Sequence, residues 1–171
     1  MTRILETSRL ILRELGADDA DFILELVNDA DWLRHIGDRH IRNLADAHRY
    51  IEEGPRTSYQ AHGHGLWVAT LKGGGQPIGL CGFLKRDVLD NADLGYALLP
   101  AFRARGYALE ACAAALEYAG QTLAFSRVLA IVSPANHRSI RLLEKLGFRF
   151  LRSFSFDADN DNSYLYERAL N

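Results

Sequence analysis

The chain has 171 residues, 48% of them hydrophobic and 25% charged, with a formal net charge of −2 and a pI near 6.3. That length suffices for one core-forming domain over residues 1–171, and the near-neutral balance excludes a global field drawing nucleic acid or an anionic membrane. No run approaches about 18 consecutive apolar residues and the opening MTRILETSRL has no apolar signal core, so a cytoplasmic chain without a span is expected.

Residues 9–14 (RLILRE) form the first expected strand. Residues 18–29 place Phe22, Ile23, Leu26 and Val27 three and four apart behind acidic residues, which predicts an amphipathic helix. A second helix is expected over 44–53, opened by Asn43 and closed at Gly54-Pro55. Residues 66–71 and 77–84 are strands joined by a turn at Lys72-Gly73-Gly74-Gly75-Gln76. Cys81 and Cys112 lie in apolar runs, predicting two buried thiols and no disulfide framework. A strand at 92–99 leads to a helix at 106–119, with Leu109, Cys112, Leu116 and Ala119 in one stripe and Gly120 as its end. Residues 127–133 (RVLAIVS) are a buried strand. Asn136 caps a helix carrying Ile140, Leu143 and Leu146 on one face, and Gly147 closes it. Strands at 150–156 and 163–169 complete the chain. The order β-α-α-β-β-β-α-β-α-β-β defines an α+β (mixed α/β) fold with one mixed sheet, and the helical crossover makes 92–99 parallel to 127–133.

The stretch FRARGYALEA (102–111) falls where a strand turns into a helix. Such a junction presents backbone N–H groups at a helix start, an anion site in which Gly106 and Ala108 allow close approach. Arg103 and Arg105 add positive charge; the alternative is an ordinary turn with two solvated arginines. Gly-Lys-[Ser/Thr] and G-x-G-x-x-G are both missing, which excludes a P-loop and a dinucleotide turn.

Residues 93–100 (DLGYALLP) followed by Arg103-x-x-Gly106-x-Ala108 resemble motif A of the GNAT N-acetyltransferase superfamily. Asn136-x-x-Ser139 and residues 142–148 (LLEKLGF) resemble its motif B. Glu6-Thr7-Ser8-Arg9-Leu10-Ile11-Leu12-Arg13 is similar to the opening of the ribosomal-protein N-terminal (RimJ/RimL-type) branch. The resemblance implies a single, mostly antiparallel sheet with flanking helices, splayed between its fourth and fifth strands. A bulge in the fourth strand would admit the pantetheine arm of acetyl-CoA, the implied cosubstrate, against the backbone of Ala97, Leu98 and Leu99. Its pyrophosphate would rest on the amides of Arg103, Ala104, Arg105, Gly106, Tyr107 and Ala108. Asn136 would contact the pantetheine, cap its helix, or do both.

The implied activity is direct acetyl transfer to a primary amine: a ribosomal-type protein N-terminus, a polyamine or an aminoglycoside-like small molecule. The resemblance implies no nucleic-acid, membrane or metal partner, and a monomer or homodimer. Leu143 stands where many relatives carry a tyrosine that protonates the leaving thiolate; resemblance to the ribosomal-protein branch implies that the serine matching Ser139 takes that part, so Ser139 is the expected acid. Asp93 is either the base or an exposed strand-end aspartate, and Leu98 N–H would stabilise developing negative charge. Ala104 stands where many members have glycine. Glu110 is expected to partner Arg103 or Arg105. Trp32, His35 and Ile36 would build an acceptor wall, with plain core as the alternative for Trp32. The competing reading is a non-catalytic acyl-CoA-binding module, supported by Leu143. His62-Gly63-His64 lacks a third metal ligand and is expected to be a polar loop. Asp157, Asp159 and Asp161 fail the EF-hand pattern at Asn162 and Arg168; they are a solvated hairpin tip or an attractor for a cationic acceptor.

Overall fold

In the computed structural model, which describes residues 1–156 and 162–170, one sheet carries eight strands among the described residues. Their spatial order is β1 (Arg3–Glu6), β2 (Leu10–Arg13), β3 (Leu66–Leu71), β4 (Pro77–Leu84), β5 (Asp93–Leu98), β6 (Arg127–Val132), β8 (Ser163–Ala169) and β7 (Arg149–Phe154). Neighbours pair antiparallel except β5 with β6. This is the expected α+β fold. The strand β1 went unforeseen, because four residues are too short a stretch for alternation to register.

Helices α1 (Ala20–Val27), α2 (Ala30–His35), α3 (Leu44–Ile51) and α4 (Thr57–His62) precede β3; α5 (Tyr107–Gln121) and α6 (His137–Lys145) belong to the second half. Strand alternation divides the core. Trp67, Ala69, Cys81 and Phe83 join Cys112, Ala115 and Leu116 of α5 and Leu143 of α6. Val68 and Leu80 turn the other way, onto Ile23, Leu26, Ala47 and Ile51 of α1 and α3.

Several local expectations change. The helix opened by Asn43, whose side chain accepts from Asp46 N–H at 2.9 Å, is not broken at Gly54-Pro55. A wide π turn over Glu52–Arg56 carries the chain past Pro55 into α4, and Thr57 Oγ1 donates to Glu52 O at 2.8 Å. Nor does Gly120 end α5, since a helical glycine costs only about 1 kcal/mol relative to alanine. The buried stripe of α5 is Ala111, Cys112, Ala115, Leu116 and Ala119, while Leu109 stays 37% exposed. His62-Gly63-His64 is no polar loop: His64 is buried against Phe83 and Phe125, with Nδ1 3.2 Å from Phe83 O. Asp157, Asp159 and Asp161 lie outside the described residues.

The parallel pair is what shapes the site. β5 and β6 meet at one register position, Asp93↔Leu129, where Leu129 N–H donates to Ala92 O at 3.0 Å. Beyond it the strands part. The expected bulge is absent, because β4 and β5 pair in unbroken register from Gly79↔Leu98 to Leu84↔Asp93. Instead the end of β5 lies tight over β4 at Gly79, where a Cβ would come 2.2 Å from Ala97 O. A residue without a side chain lets β5 lean away from β6 while keeping its β4 ladder.

Candidate active site

The gap between β5 and β6 opens into a cleft of about 1250 Å³ bounded by α2, β5, the turn before α5 and the first turn of α6. Of the expected residues, Asp93, Ala97, Leu98, Arg103, Ala104, Gly106, Tyr107, Ala108, Asn136 and Ser139 line it. Leu99 and Arg105 do not. Leu99 is buried with the α1–α3 core, and its N–H donates to Ile78 O at 2.8 Å. Backbone direction alternates along a strand, so Ala97, like Leu99, turns its amide toward β4 while Tyr96 and Leu98 face the gap. The expected three-residue edge is therefore reduced to Leu98, joined by Tyr96.

The turn before α5 keeps its donors free. Phe102 N–H donates to Leu99 O and Arg103 N–H to Pro100 O at 3.3 Å, and the helix ladder resumes with Glu110 N–H to Gly106 O at 3.0 Å. Between them the N–H groups of Ala104, Arg105, Gly106, Tyr107, Ala108 and Leu109 find no acceptor among the described residues. Six consecutive donors at the head of a 15-residue helix match the chemistry of a bound phosphate. Two left-handed residues, Ala104 (φ 59°) and Gly106 (φ 81°), give the turn its shape.

Arg103 is not part of that cradle. Its amide is used, and its guanidinium binds Asp29, Asp31 (3.0 Å) and Leu98 O (3.1 Å), locking α2 to the turn. Asp29 also caps α2, accepting from Asp31 N–H at 3.1 Å. Burial pushes its carboxyl upward, but Arg103 outweighs that and holds it below the usual carboxylate range. Glu110 likewise serves structure, with partners other than those expected. It accepts from Thr7 Oγ1 (2.6 Å), Arg9 N–H (2.8 Å) and Arg9 Nε (2.6 Å), and Arg9 lies over the Tyr107 ring and donates to Arg105 O.

Across the gap, Asn136 Oδ1 accepts from Ser139 N–H at 3.2 Å, an N-cap on α6. Ser139 Oγ is hydrogen-bonded to the Tyr96 hydroxyl arriving from β5. Burial raises the Tyr96 phenol well above its ordinary range, against the opposing bond from Ser139. Leu143 is 1% exposed, packed into the core, and offers the cleft no polar group. Asp93 is no exposed strand end: it is 2% exposed, with Arg86 Nε donating at 2.9 Å. Burial lifts its carboxyl above the ordinary range, and Arg86 offsets only part of that. Trp32, His35 and Ile36 line the cleft, and Trp32 is also buried core, its Nε1 without an acceptor among the described residues. Sequence reasoning missed Tyr96 and Arg86. The DLGY segment held a polar-tipped aromatic in strand register, the one available signal, but nothing local named a partner 43 residues away.

A family model described as the acetyltransferase (GNAT) domain matches residues 9–149. The chain belongs to that family: it is an acetyltransferase, and acetyl-CoA is its cosubstrate. It is 30% identical over 150 residues to the uncharacterized N-acetyltransferase YoaA of Bacillus subtilis (strain 168), covering 87% of this chain and 84% of that protein. Among solved structures it shares its fold with an acetyltransferase from Agrobacterium tumefaciens str. C58 (TM-score 0.81, 24% identity, 96% of this chain and 92% of that one). It also shares its fold with RimL, the ribosomal L7/L12 alpha-N-protein acetyltransferase in complex with coenzyme A (TM-score 0.80, 14% identity, 98% of each chain). No helix among the described residues is long and apolar enough to cross a membrane.

Proposed function

We propose that the chain, as one acetyltransferase domain over residues 1–171, moves the acetyl group of acetyl-CoA directly to a primary amine. The observation that carries this is the run of six unpaired amides at the head of α5, five of them on residues that line the same cleft as Asp93 and Ser139. Those amides suit the pyrophosphate, and the Tyr96 backbone suits an amide group of the pantetheine. Acetyl-CoA supplies the activated thioester. Leu98 N–H, facing the gap, donates where the carbonyl oxygen gains charge. Asp93, its carboxyl raised by burial, takes a proton from the amine directly or through water. Ser139 hands its hydroxyl proton to the departing sulfur.

The acceptor classes consistent with this chemistry are a protein α-amine of the kind RimL modifies, a polyamine and an aminoglycoside-like amine. An α-amine with a pKa near 8 is far easier to present neutral than a lysine near 10.4, which favours the first. The test is thiol release from acetyl-CoA with short peptides, polyamines and aminoglycosides, beside acetyl-CoA affinity by calorimetry. Release above the amine-free rate for one class is the expected result. Silence across the panel despite tight acetyl-CoA binding would support the binding-module reading. Gly106→Val should weaken acetyl-CoA binding at least tenfold in a folded protein, because valine resists φ 81° and its Cβ would lie 3.3 Å from the Arg9 guanidinium. Unchanged affinity would remove the phosphate cradle.

A further inference from the structure

We propose that Tyr96 orients and reloads Ser139 as the proton donor to the leaving sulfur, an inference that rests on the acetyl-transfer reading above. The cleft is lined by several hydroxyl groups, from Tyr50, Tyr96, Tyr107, Ser133, Ser139 and Ser163. Among the described residues Tyr96 and Ser139 alone are bonded to each other. They come from opposite walls of the gap, Tyr96 from β5 and Ser139 from the first turn of α6. Asn136 fixes the Ser139 amide, which leaves its hydroxyl as the free pole of that turn.

A serine hydroxyl carries one proton. When it donates that proton toward the cleft, its oxygen is left to accept, and the Tyr96 hydroxyl is the donor in place. A serine alkoxide is too basic to stand alone in a half-buried site, so donation to sulfur needs a proton arriving as one leaves. The Tyr96 phenol is suited to this because it is bonded to Ser139 Oγ and, like any phenol, is protonated at neutral pH. The step balances. The amine nitrogen bonds to the acetyl carbon and the carbon–sulfur bond breaks. The Ser139 proton goes to sulfur, the Tyr96 proton to Ser139 Oγ, and water in the cleft returns one to Tyr96. The proton lost by the amine leaves through Asp93. Tyr96 is thus a positioning residue, acting through Ser139.

The experiment is a double-mutant cycle of wild type, Ser139→Ala, Tyr96→Phe and the double variant, read as kcat and KM for acetyl-CoA with the best amine. Tyr96→Phe keeps the half-buried ring. It is expected to lower kcat about tenfold, less than the roughly 10²–10⁴-fold of a general acid itself because Tyr96 acts through Ser139, with KM changed less than about twofold. In the Ser139→Ala background it should cost nothing more, because two groups acting as a unit are not additive. Full kcat in Tyr96→Phe, or the same loss with and without Ser139, would overturn the inference while leaving acetyl transfer intact. A second measurement uses wild type alone. Two protons in flight bow the dependence of kcat on deuterium fraction, whereas a straight line would sink the relay. A wild-type protein that acetylates no amine overturns the acetyl-transfer reading itself, and this inference with it, before any variant is made.

Discussion

Ala104 occupies left-handed backbone at φ 59°, where an L side chain crowds its own carbonyl. The residue is exposed and its amide is one of the six free donors, so the strain maintains the turn without any packing in return. Ala104→Gly should therefore stabilise the fold by about 1 kcal/mol, measured by urea unfolding, and leave acetyl-CoA affinity unchanged. A neutral or destabilising result would mean that the strain is relieved elsewhere. Asp93 and Arg86 make a second residue-scale case. Burial raises the Asp93 carboxyl and Arg86 is what pulls it back, so Arg86→Ala should raise it further. As a base, Asp93 works only when ionised. The acid limb of kcat should accordingly move to higher pH in Arg86→Ala and disappear in Asp93→Asn. A limb that stays in place in both would assign the proton to another group.

At the scale of elements, the site is built from helix ends. The head of α5 leaves its donors open, while the head of α6 closes one of its own with Asn136 and thereby sets Ser139 at the third helical position. Asn136→Ala should cost about 1 kcal/mol of stability, the usual worth of a cap. It should also lower kcat more than acetyl-CoA affinity, because the first turn carrying Ser139 frays. Loss of affinity with kcat intact would instead make Asn136 a ligand-contacting residue and nothing more. The third helix end is that of α2, pinned by Asp29 and Asp31 to Arg103. One arginine so joins the wall bearing Trp32 to the turn bearing the free amides. The arginine motif that pointed to the anion site in sequence acts as its brace.

For the whole molecule, the core beneath β3 and β4 contains a histidine whose charge opposes folding. His64 is 5% exposed, and burial holds its ring below the ordinary histidine value. The unfolded chain then binds a proton that the folded one refuses, so stability present above about pH 6.5 is lost as pH falls below it. The thermal midpoint should drop between about pH 7 and about pH 5.5, and His64→Gln should flatten that slope; an unaltered slope would place the titration elsewhere. What the sequence determined by itself was local and periodic. Strand alternation, the caps Asn43 and Asn136, Gly106 at the head of α5 and the N-x-x-S spacing of Ser139 were all legible, because each depends on residues within one or two turns. Tertiary structure alone decided the pairings: Tyr96 with Ser139 across 43 residues, Arg103 with Asp29 across 74, and Glu110 with Arg9 across 101. It also replaced the expected bulge with a glycine crossing at Gly79. Side-chain partners so distant in sequence are chosen by which faces the sheet and helices bury together, and no local pattern encodes that choice.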